Sequence, residues 1–167
     1  MNREIVLATH ADAALIADMS SRLVEHGLPR SWRTPRVVRH IGRRDNVVIK
    51  TVSESTMLGF AIMSFADDAA HLNLLAVEPP YRRLSIARDM VEWLERSAVC
   101  AGTFFVSLEV RADNRDAIRF YRSLGYDETD IIAGYYSGIE DAIVFARDLR
   151  TREMAWPDAE FPPYPEN

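Results

Sequence analysis

The stretch LLAVEPPYRRLSIARDMVEWL, from Leu74 to Leu94, joins an apolar strand to an amphipathic helix through a short turn. After Ser85, apolar side chains recur at helical spacing, beginning with Ile86 and Met90. A turn between a strand and a helix presents free backbone N–H groups and the positive end of the helix dipole. Three arginines add cationic donors there: Arg82, Arg83 and Arg88. From these residues alone, the turn is either an anion-binding site or an ordinary capped helix start.

The patterns on both sides of this stretch predict the element order β α α β β β α β α β β. Helices are predicted from residue 11 to a stop at Gly27, from an N-cap at Thr34, from Ser85 to Ala101, and from an N-cap at Asn114 to Gly125. Strand–helix–strand units between residues 71 and 130 predict some parallel pairing, and two hairpins predict antiparallel pairing elsewhere. We therefore expect one mixed sheet with helices on both faces. The predicted strands are EIVLA, NVVIKTVSE, MLGFAIMSFA, HLNLLAVE, TFFVSLEVR, ETDIIAGYY and DAIVFARDL.

Composition narrows the class of protein. The chain has 167 residues, 48% of them hydrophobic and 27% charged, which is typical of one soluble domain. The net charge of −5 argues against general nucleic-acid binding, and no apolar run is long enough to cross a membrane. The N-terminus does not read as a signal peptide, and the one cysteine excludes an internal disulfide. These features predict a cytoplasmic protein.

Several further features have alternative interpretations. An arginine cluster runs through PRSWRTPRVVRHIGRR, residues 29–44, and is either a solvated helix face or a rim that attracts an anionic group. Cys100 is expected to be buried and to carry no acyl group. The four histidines, at positions 10, 26, 40 and 71, show no metal-ligand spacing, so no metal is predicted. Residues 1–150 are expected to form the domain, and the proline-rich residues 151–167 an extended tail.

The opening stretch resembles motif A of the GNAT superfamily of N-acetyltransferases, whose core reads Arg/Gln-x-x-Gly-x-Gly/Ala. Arg82, Ser85 and Ala87 stand at its three defining positions. The segment LEVRADNRDAIRFYRSLGY, residues 108–126, resembles motif B of the same superfamily. The resemblance covers roughly residues 4–149. It implies an α/β (α+β) GNAT fold, with a single mixed, largely antiparallel sheet splayed between the fourth and fifth strands and helices on both faces.

The resemblance also implies acetyl-CoA as the acetyl donor and a set of residues that bind it. The pantetheine arm is expected along the fourth strand, and the pyrophosphate on backbone amides of the turn. Ser85 replaces the usual glycine, which lets backbone and phosphate approach closely. A serine fits there if its φ is negative, and its hydroxyl could then bond a phosphate or cap the helix. The expected cofactor-binding residues are Leu75, Ala76, Val77, Arg82, Arg83, Leu84, Ser85, Ile86, Ala87, Arg88, Asn114, Ala117 and Tyr121.

Two residues are candidates for proton transfer. Tyr121 lies on the apolar face of its helix and is a core tyrosine or, by resemblance, the general acid. Glu109 is a carboxylate in an apolar strand, so it must face the site, solvent or a partner such as Arg111. The segment LEVRADNRDAI resembles the ribosomal-protein alanine N-terminal acetyltransferases (the RimI-like group), and that resemblance implies that Glu109 is the base.

The same group provides expectations for the acceptor. GLPRSW, residues 27–32, and YYSGIEDAIVFARDL, residues 135–149, resemble its two acceptor loops, which implies substrate contacts by Leu28, Trp32, Tyr135 and Tyr136. The connection from Tyr136 to Glu140 is shorter than is usual there. We therefore expect an N-acetyltransferase that acts by direct attack on a protein or peptide α-amine, as a monomer or homodimer. The alternatives are a small-amine acetyltransferase and a non-catalytic CoA-binding module.

Overall fold

The computed structural model describes residues 1–150, and its elements follow the predicted order. The predicted tail, residues 151–167, lies outside the described residues. Short 3-10 turns precede the first and third helices, at His10–Asp12 and Pro79–Tyr81. The strands and helices are β1 (Glu4–Leu7), α1 (Ala13–Leu23), α2 (Thr34–Gly42), β2 (Asn46–Ser53), β3 (Thr56–Phe65), β4 (Ala69–Val77), α3 (Ile86–Cys100), β5 (Phe105–Arg111), α4 (Arg115–Ser123), β6 (Asp127–Tyr136) and β7 (Glu140–Asp148).

The strands form one sheet in the order β1-β2-β3-β4-β5-β7-β6, and every pair is antiparallel except β4 with β5. The parallel pairing joins only residues 69–71 of β4 to residues 105–107 of β5. Beyond His71, β4 continues along β3 to Val77, while β5 continues along β7 to Arg111. The two strands therefore separate, which confirms the predicted splay between the fourth and fifth strands.

A β-bulge at Asn73 changes which side chains of β4 face each side of the sheet. Met63 pairs with Leu72 and Ile62 pairs with Leu74, so Asn73 is the extra residue. Before the bulge, Leu72 belongs to the core under α3 and α4; after it, Leu74 belongs to the core under α1 and α2. The bulge therefore turns the site end of β4 relative to its start.

Two apolar cores, one on each face of the sheet, confirm the predicted arrangement of helices. The core on the α3 side includes Met90, Leu94 and Leu108, all almost fully buried. The core on the α1 side includes Ile16 and Phe60, which are also fully buried. In each layer, the helices pack their apolar faces against the sheet, where the side chains of each strand alternate between buried and exposed positions.

A buried ion pair fixes α3 against the sheet. The Glu95 carboxylate, 3% exposed, accepts hydrogen bonds from the Arg147 guanidinium at 2.8 Å and from the Tyr126 hydroxyl at 3.0 Å. Burial raises the pKa of Glu95, and the charge of Arg147 opposes this. Since an unpaired charge there would be costly, these three side chains specify how α3 is placed on β7.

Three local predictions are corrected. Helix α1 ends at Leu23 rather than at Gly27, and the Glu25 carboxylate just beyond it accepts the amides of Ser31 at 2.9 Å and Trp32 at 3.2 Å in the following loop. The N-cap of α2 is Arg33, so Thr34 is already helical. Cys100 is exposed, since it is two residues beyond the buried Ala98 and thus points to the other side of the helix.

Candidate active site

The turn before α3 presents a row of unpaired backbone amides. Within residues 1–150, the N–H groups of residues 83–88 make no hydrogen bond, and the first paired amide of the helix is that of Asp89, to the Ser85 carbonyl at 2.9 Å. Because α3 has 15 residues, the positive end of its dipole adds to these donors. Free amides at a helix N-terminus bind phosphate-like anions.

Ser85 adopts a backbone conformation opposite to the one expected. Its φ is +62° and its ψ is 10°, and Arg83 also has a positive φ of 60°. The condition of a negative φ, under which a serine would fit without strain, is therefore not met. Left-handed residues within such a turn direct successive N–H groups into one concave surface, which suits an anion. A serine in this conformation is strained, and a glycine would not be. Ser85 stands at the N-cap position, but its side chain makes no cap hydrogen bond, so of the two possible roles of its hydroxyl only contact with a phosphate is left.

A cavity of about 680 Å³ opens beside this turn, a volume suited to a small-molecule ligand. Its lining contains every predicted cofactor-binding residue except Leu84, whose side chain is exposed and whose carbonyl accepts a hydrogen bond from Arg3. The structure therefore brings the turn, the end of β4 and the first turns of α4 together around one space. The lining residues that sequence reasoning missed are Leu23, Tyr81, Asp116, Arg119 and Phe120.

Side-chain contacts hold the walls of this cavity in place. Arg82 Nε donates to the Val77 carbonyl at 3.0 Å, which ties the turn to the end of β4. Arg88 reaches across to the Ser123 hydroxyl on α4 at 3.4 Å. Asn114 Oδ1 accepts the Ala117 amide at 3.1 Å, which confirms the predicted N-cap of α4. Helix α4 is thereby oriented so that Tyr121 also lines the cavity.

Tyr121 is buried but faces the cavity. Its ring packs against Phe120, Tyr126 and Phe145, with ring centroids 5.0, 5.8 and 6.2 Å away. Among residues 1–150, no side chain or carbonyl hydrogen-bonds its hydroxyl. Burial, with a smaller contribution from Tyr136, raises the pKa of Tyr121. The phenol therefore stays protonated at neutral pH and has a proton to donate into the cavity.

Glu109 lies on the other face of the sheet from Tyr121. It alternates along β5 with Leu108 and Val110, which belong to the α3-side core that also contains Tyr121. Its Oε2 is 2.5 Å from Nε2 of His71, so the partner of Glu109 is His71 and the suggested partner Arg111 is wrong. Arg111 instead binds Glu140 in a bidentate pair. Glu109 does not line the cavity described above.

Sequence reasoning missed His71, because the spacing of the histidines bears only on metal binding. The parallel register places His71 opposite Ser107, two residues before Glu109 on the same face. Reading that pairing from the sequence would require knowing that β4 and β5 are neighbours in this register. The Glu109 carboxylate raises the pKa of His71, burial opposes the shift, and Asn73 adds to it.

The two predicted acceptor loops meet near Glu109. Arg111 links them, because its guanidinium binds Glu140 and also donates to the carbonyl of His26 at 2.5 Å. Tyr135 is exposed, Tyr136 is half-buried, and their ring centroids lie 4.9 Å apart. Burial and the Glu109 charge both raise the pKa values of these two tyrosines. The tyrosine pair therefore lies close to the His71–Glu109 pair.

Trp32 and Leu28 occupy different environments in the first of these loops. Trp32 is 7% exposed and packs into the α1-side core, with the Arg36 guanidinium 3.9 Å from its ring centroid. Leu28 is half-buried.

In the arginine cluster, residues 29–44, Arg43 pairs with Asp45 at 2.8 Å, and Arg30 is exposed. The cluster is thus partly a solvated face and partly an arginine stacked on a loop tryptophan.

Residues 1–150 contain neither a metal-binding cluster nor a membrane-spanning helix. No group of three or more histidine, cysteine or carboxylate side chains is placed to hold a metal ion between residues 1 and 150. Over the same residues, no helix has the length and apolar character needed to span a membrane.

Known proteins match both the sequence and the fold. A model of the acetyltransferase (GNAT) family matches residues 18–126. The [ribosomal protein bS18]-alanine N-acetyltransferase of Salmonella typhimurium is 38% identical over 101 residues, which are 59% of this chain and 68% of that protein. Proteins of the same name from Escherichia coli are 41% identical over 93 residues, and the matched segment spans 63% of their length.

Solved structures share the fold over nearly their whole length. The ribosomal-protein-S18-alanine N-acetyltransferase from Escherichia coli has a TM-score of 0.78 at 29% identity and covers 96% of this chain and 100% of its own. Arabidopsis thaliana NAA60, crystallised with acetyl-CoA, has a TM-score of 0.78 at 16% identity and covers 89% of this chain and 99% of its own. At that identity, the second likeness concerns the fold alone.

Substitutions at Ser85 test the interpretation of the turn. Ser85→Gly should raise the free energy of unfolding by about 0.5–1 kcal/mol, because relief of left-handed strain outweighs the added chain entropy. Ser85→Ala should change it by less than about 0.5 kcal/mol, because the hydroxyl caps nothing. Urea denaturation of the three proteins measures both differences. A loss of about 1 kcal/mol in Ser85→Ala would instead mean that the hydroxyl is a cap.

Proposed function

This chain belongs to the acetyltransferase (GNAT) family, and on that premise we propose that it transfers an acetyl group from acetyl-CoA to a primary amine. The observation that carries the proposal is the row of free amides at residues 83–88, which opens into a cavity that reaches Tyr121. Acetyl-CoA carries its pyrophosphate and its thioester at opposite ends of the pantetheine arm. An anion-binding turn that opens into a cavity with a buried proton donor suits such a molecule.

The residues present fit such a donor. The turn amides would hold the pyrophosphate, with Arg83 and Arg88 supplying positive charge beside it. The pantetheine arm would lie along Leu75, Ala76 and Val77, where β4 has no pairing with β5. Main-chain N–H and C=O groups left there by the splay need partners, and an arm rich in amides supplies them. Arabidopsis thaliana NAA60, which shares the fold, binds acetyl-CoA.

Tyr121 and Glu109 would perform the two proton transfers on opposite sides of the split sheet. Glu109, on the α1 face, would take a proton from the acceptor ammonium, and the amine lone pair would then attack the acetyl carbonyl carbon. As the carbon–sulfur bond breaks, Tyr121 would give its proton to the departing sulfur, and the new amide nitrogen would lose its second proton through water to restore Tyr121. The direct attack needs no acyl-enzyme, which agrees with the exposed position of Cys100 at the far end of α3.

The acceptor we propose is the α-amine of a protein or peptide N-terminus. Two loops joined by Arg111 border the face on which Glu109 lies, and loops on both sides of that face would hold an extended chain end. The relatives named [ribosomal protein bS18]-alanine N-acetyltransferase act on a chain of this kind. Leu28, Trp32, Tyr135 and Tyr136 would border the acceptor. A cytoplasmic location and a monomeric or dimeric state stay predictions.

Two alternatives rest on specific features. The short connection from Tyr136 to Glu140 would leave the mouth open to a small amine, and the strained Ser85 would suit a module that binds CoA without catalysis.

Acceptor assays separate the three possibilities. We expect the protein to acetylate the α-amine of peptides whose lysines are blocked, measured as acetylated peptide by mass spectrometry. Labelling of amino acids or polyamines alone would contradict the N-terminal acceptor, and CoA binding without any turnover would favour the module.

Conservative substitutions test the two proton-transfer roles. Tyr121→Phe and Glu109→Gln should each lower kcat by about 10²–10⁴-fold, because each removes a general acid or base. CoA affinity, measured by calorimetry, should stay within about twofold in both, since each change leaves the free amides of the turn intact. Glu54→Gln, in the exposed β2–β3 turn, is the matched control and should leave kcat unchanged. Full activity in both variants would contradict the assigned roles.

A further inference from the structure

A chain of hydrogen bonds crosses the sheet and ends at Glu109. Asn46 on β2, Ser64 on β3 and His71 on β4 lie in one row of the strand register, and the extra residue of the bulge, Asn73, stands beside them. The series of hydrogen bonds begins with Asp45 Oδ1 and Asn46 Nδ2 at 2.9 Å, Asn46 Oδ1 and Ser64 Oγ at 2.5 Å, and Ser64 Oγ and Asn73 Nδ2 at 2.6 Å. It continues with Asn73 Oδ1 and His71 Nδ1 at 3.0 Å and ends with His71 Nε2 and Glu109 Oε2 at 2.5 Å.

The Asp45 carboxylate, at the first position of this series, fixes which partner donates in each of its hydrogen bonds. Asp45 is held ionised by a bidentate pair with Arg43, which keeps the pKa of that carboxyl below its ordinary value. Since a carboxylate only accepts, Asn46 must turn its NH₂ group toward Asp45 and its oxygen toward Ser64. Ser64 has one proton to donate, gives it to Asn46, and so accepts from the NH₂ group of Asn73.

The protonation state of His71 follows from these hydrogen-bond directions. The oxygen of Asn73 faces the imidazole, so Nδ1 of His71 carries a hydrogen and donates it. A neutral imidazole protonated at Nδ1 has a lone pair at Nε2, and that lone pair would face the Glu109 carboxylate at 2.5 Å. Two acceptors at that distance repel each other unless a proton lies between them. The pair therefore holds one proton more than a neutral imidazole and a separate carboxylate.

We propose that His71 is a positioning residue for Glu109 and that the two side chains act as one proton-accepting unit, which is competent only after the proton between them has left. The inference rests on the proposed acetyl transfer. Asn73 fixes the imidazole, the imidazole fixes the carboxylate, and the unit is poised in the neutral pH range instead of the acidic range of a lone glutamate.

The surroundings of the pair are mostly neutral. Tyr135 and Tyr136, on β6, lie close enough for the Glu109 charge to act on their hydroxyls, and their raised pKa values keep both uncharged. Arg36 on α2 acts on Tyr135, and Arg111 acts on Tyr136 while it is neutralised by Glu140. The side chains of His71 and Glu109 are 34% and 17% exposed, so their shared proton can leave to water.

The proton balance of one turnover is complete without another reagent. The unit first releases its shared proton to solvent and then accepts one from the acceptor ammonium. The new carbon–nitrogen bond forms with the amine lone pair, the carbon–sulfur bond breaks, and Tyr121 protonates the sulfur. The acylated nitrogen still carries one proton more than the amide product, and it releases that proton through water, which restores the proton of Tyr121. The unit, again protonated, begins the next turnover by releasing its proton.

The pH dependence of kcat tests this proposal with one acceptor peptide for all variants. The wild-type acid limb should have its midpoint above about 6.5, the ordinary value of histidine. His71→Gln should move it downward by at least one pH unit, because no proton shared with an imidazole has to leave, and lower kcat at pH 8 on the order of 10-fold. Asn73→Ala should also move the limb downward, because Nδ1 is then no longer forced to donate. The exposed His10→Gln is the matched control and should reproduce the wild-type profile.

A titration by NMR makes the test independent of turnover. With histidine-labelled protein, and with His71→Gln to assign the signal, His71 should titrate above about 6.5 in the wild type and at a lower pH in Glu109→Gln. Unchanged acid limbs in both the His71 and Asn73 variants, or a His71 titration indifferent to Glu109→Gln, would overturn the proposal. A protein that acetylates nothing but shows the expected titration would refute the proposed function and the catalytic role together, while the pairing itself would stand.

Discussion

The separation of β4 from β5 after His71 is the constraint on which the rest of the site depends. Parallel pairing lasts only from residue 69 to residue 71, and each strand then follows its other neighbour. The split leaves main-chain groups of β4 unpaired and opens a passage between the two faces of the sheet. Because buried backbone groups need partners, such a split is stable only where a ligand or water can supply them. The free edge of β4 is therefore evidence for a binding surface.

The split also explains why the two proton-transfer candidates come from different layers. Tyr121 belongs to the core beneath α3 and α4, whereas Glu109 points to the side of α1 and α2. In a closed sheet these groups would be separated by a continuous layer of backbone. With the strands apart, a thioester placed in the gap could receive an amine from one side and lose its sulfur toward the other.

Sequence patterns predicted the order of elements, because alternation, helical spacing and helix-ending residues are local signals. Most of the residues around the cavity were implied by the resemblance to motifs A and B. They could not predict the contacts that depend on register. The bulge at Asn73 and the pairing of His71 with Glu109 both arise from how β4 lies between β3 and β5. Ser85 shows a different limit, since its side chain favours a cap while the turn imposes a left-handed backbone. At Ser85 the tertiary arrangement overrode a local preference, and it did so at the site.

The most direct test of the account is a calorimetric comparison of CoA with pantetheine, which lacks the pyrophosphate. If the amides of residues 83–88 grip that group, CoA should bind at least about 100-fold more tightly, because two charge-assisted hydrogen bonds are worth about 3 kcal/mol or more together. The same comparison in Arg83→Gln should retain most of the difference, since the backbone provides the grip. Equal affinity for CoA and pantetheine would contradict the central claim that this turn is the phosphate site.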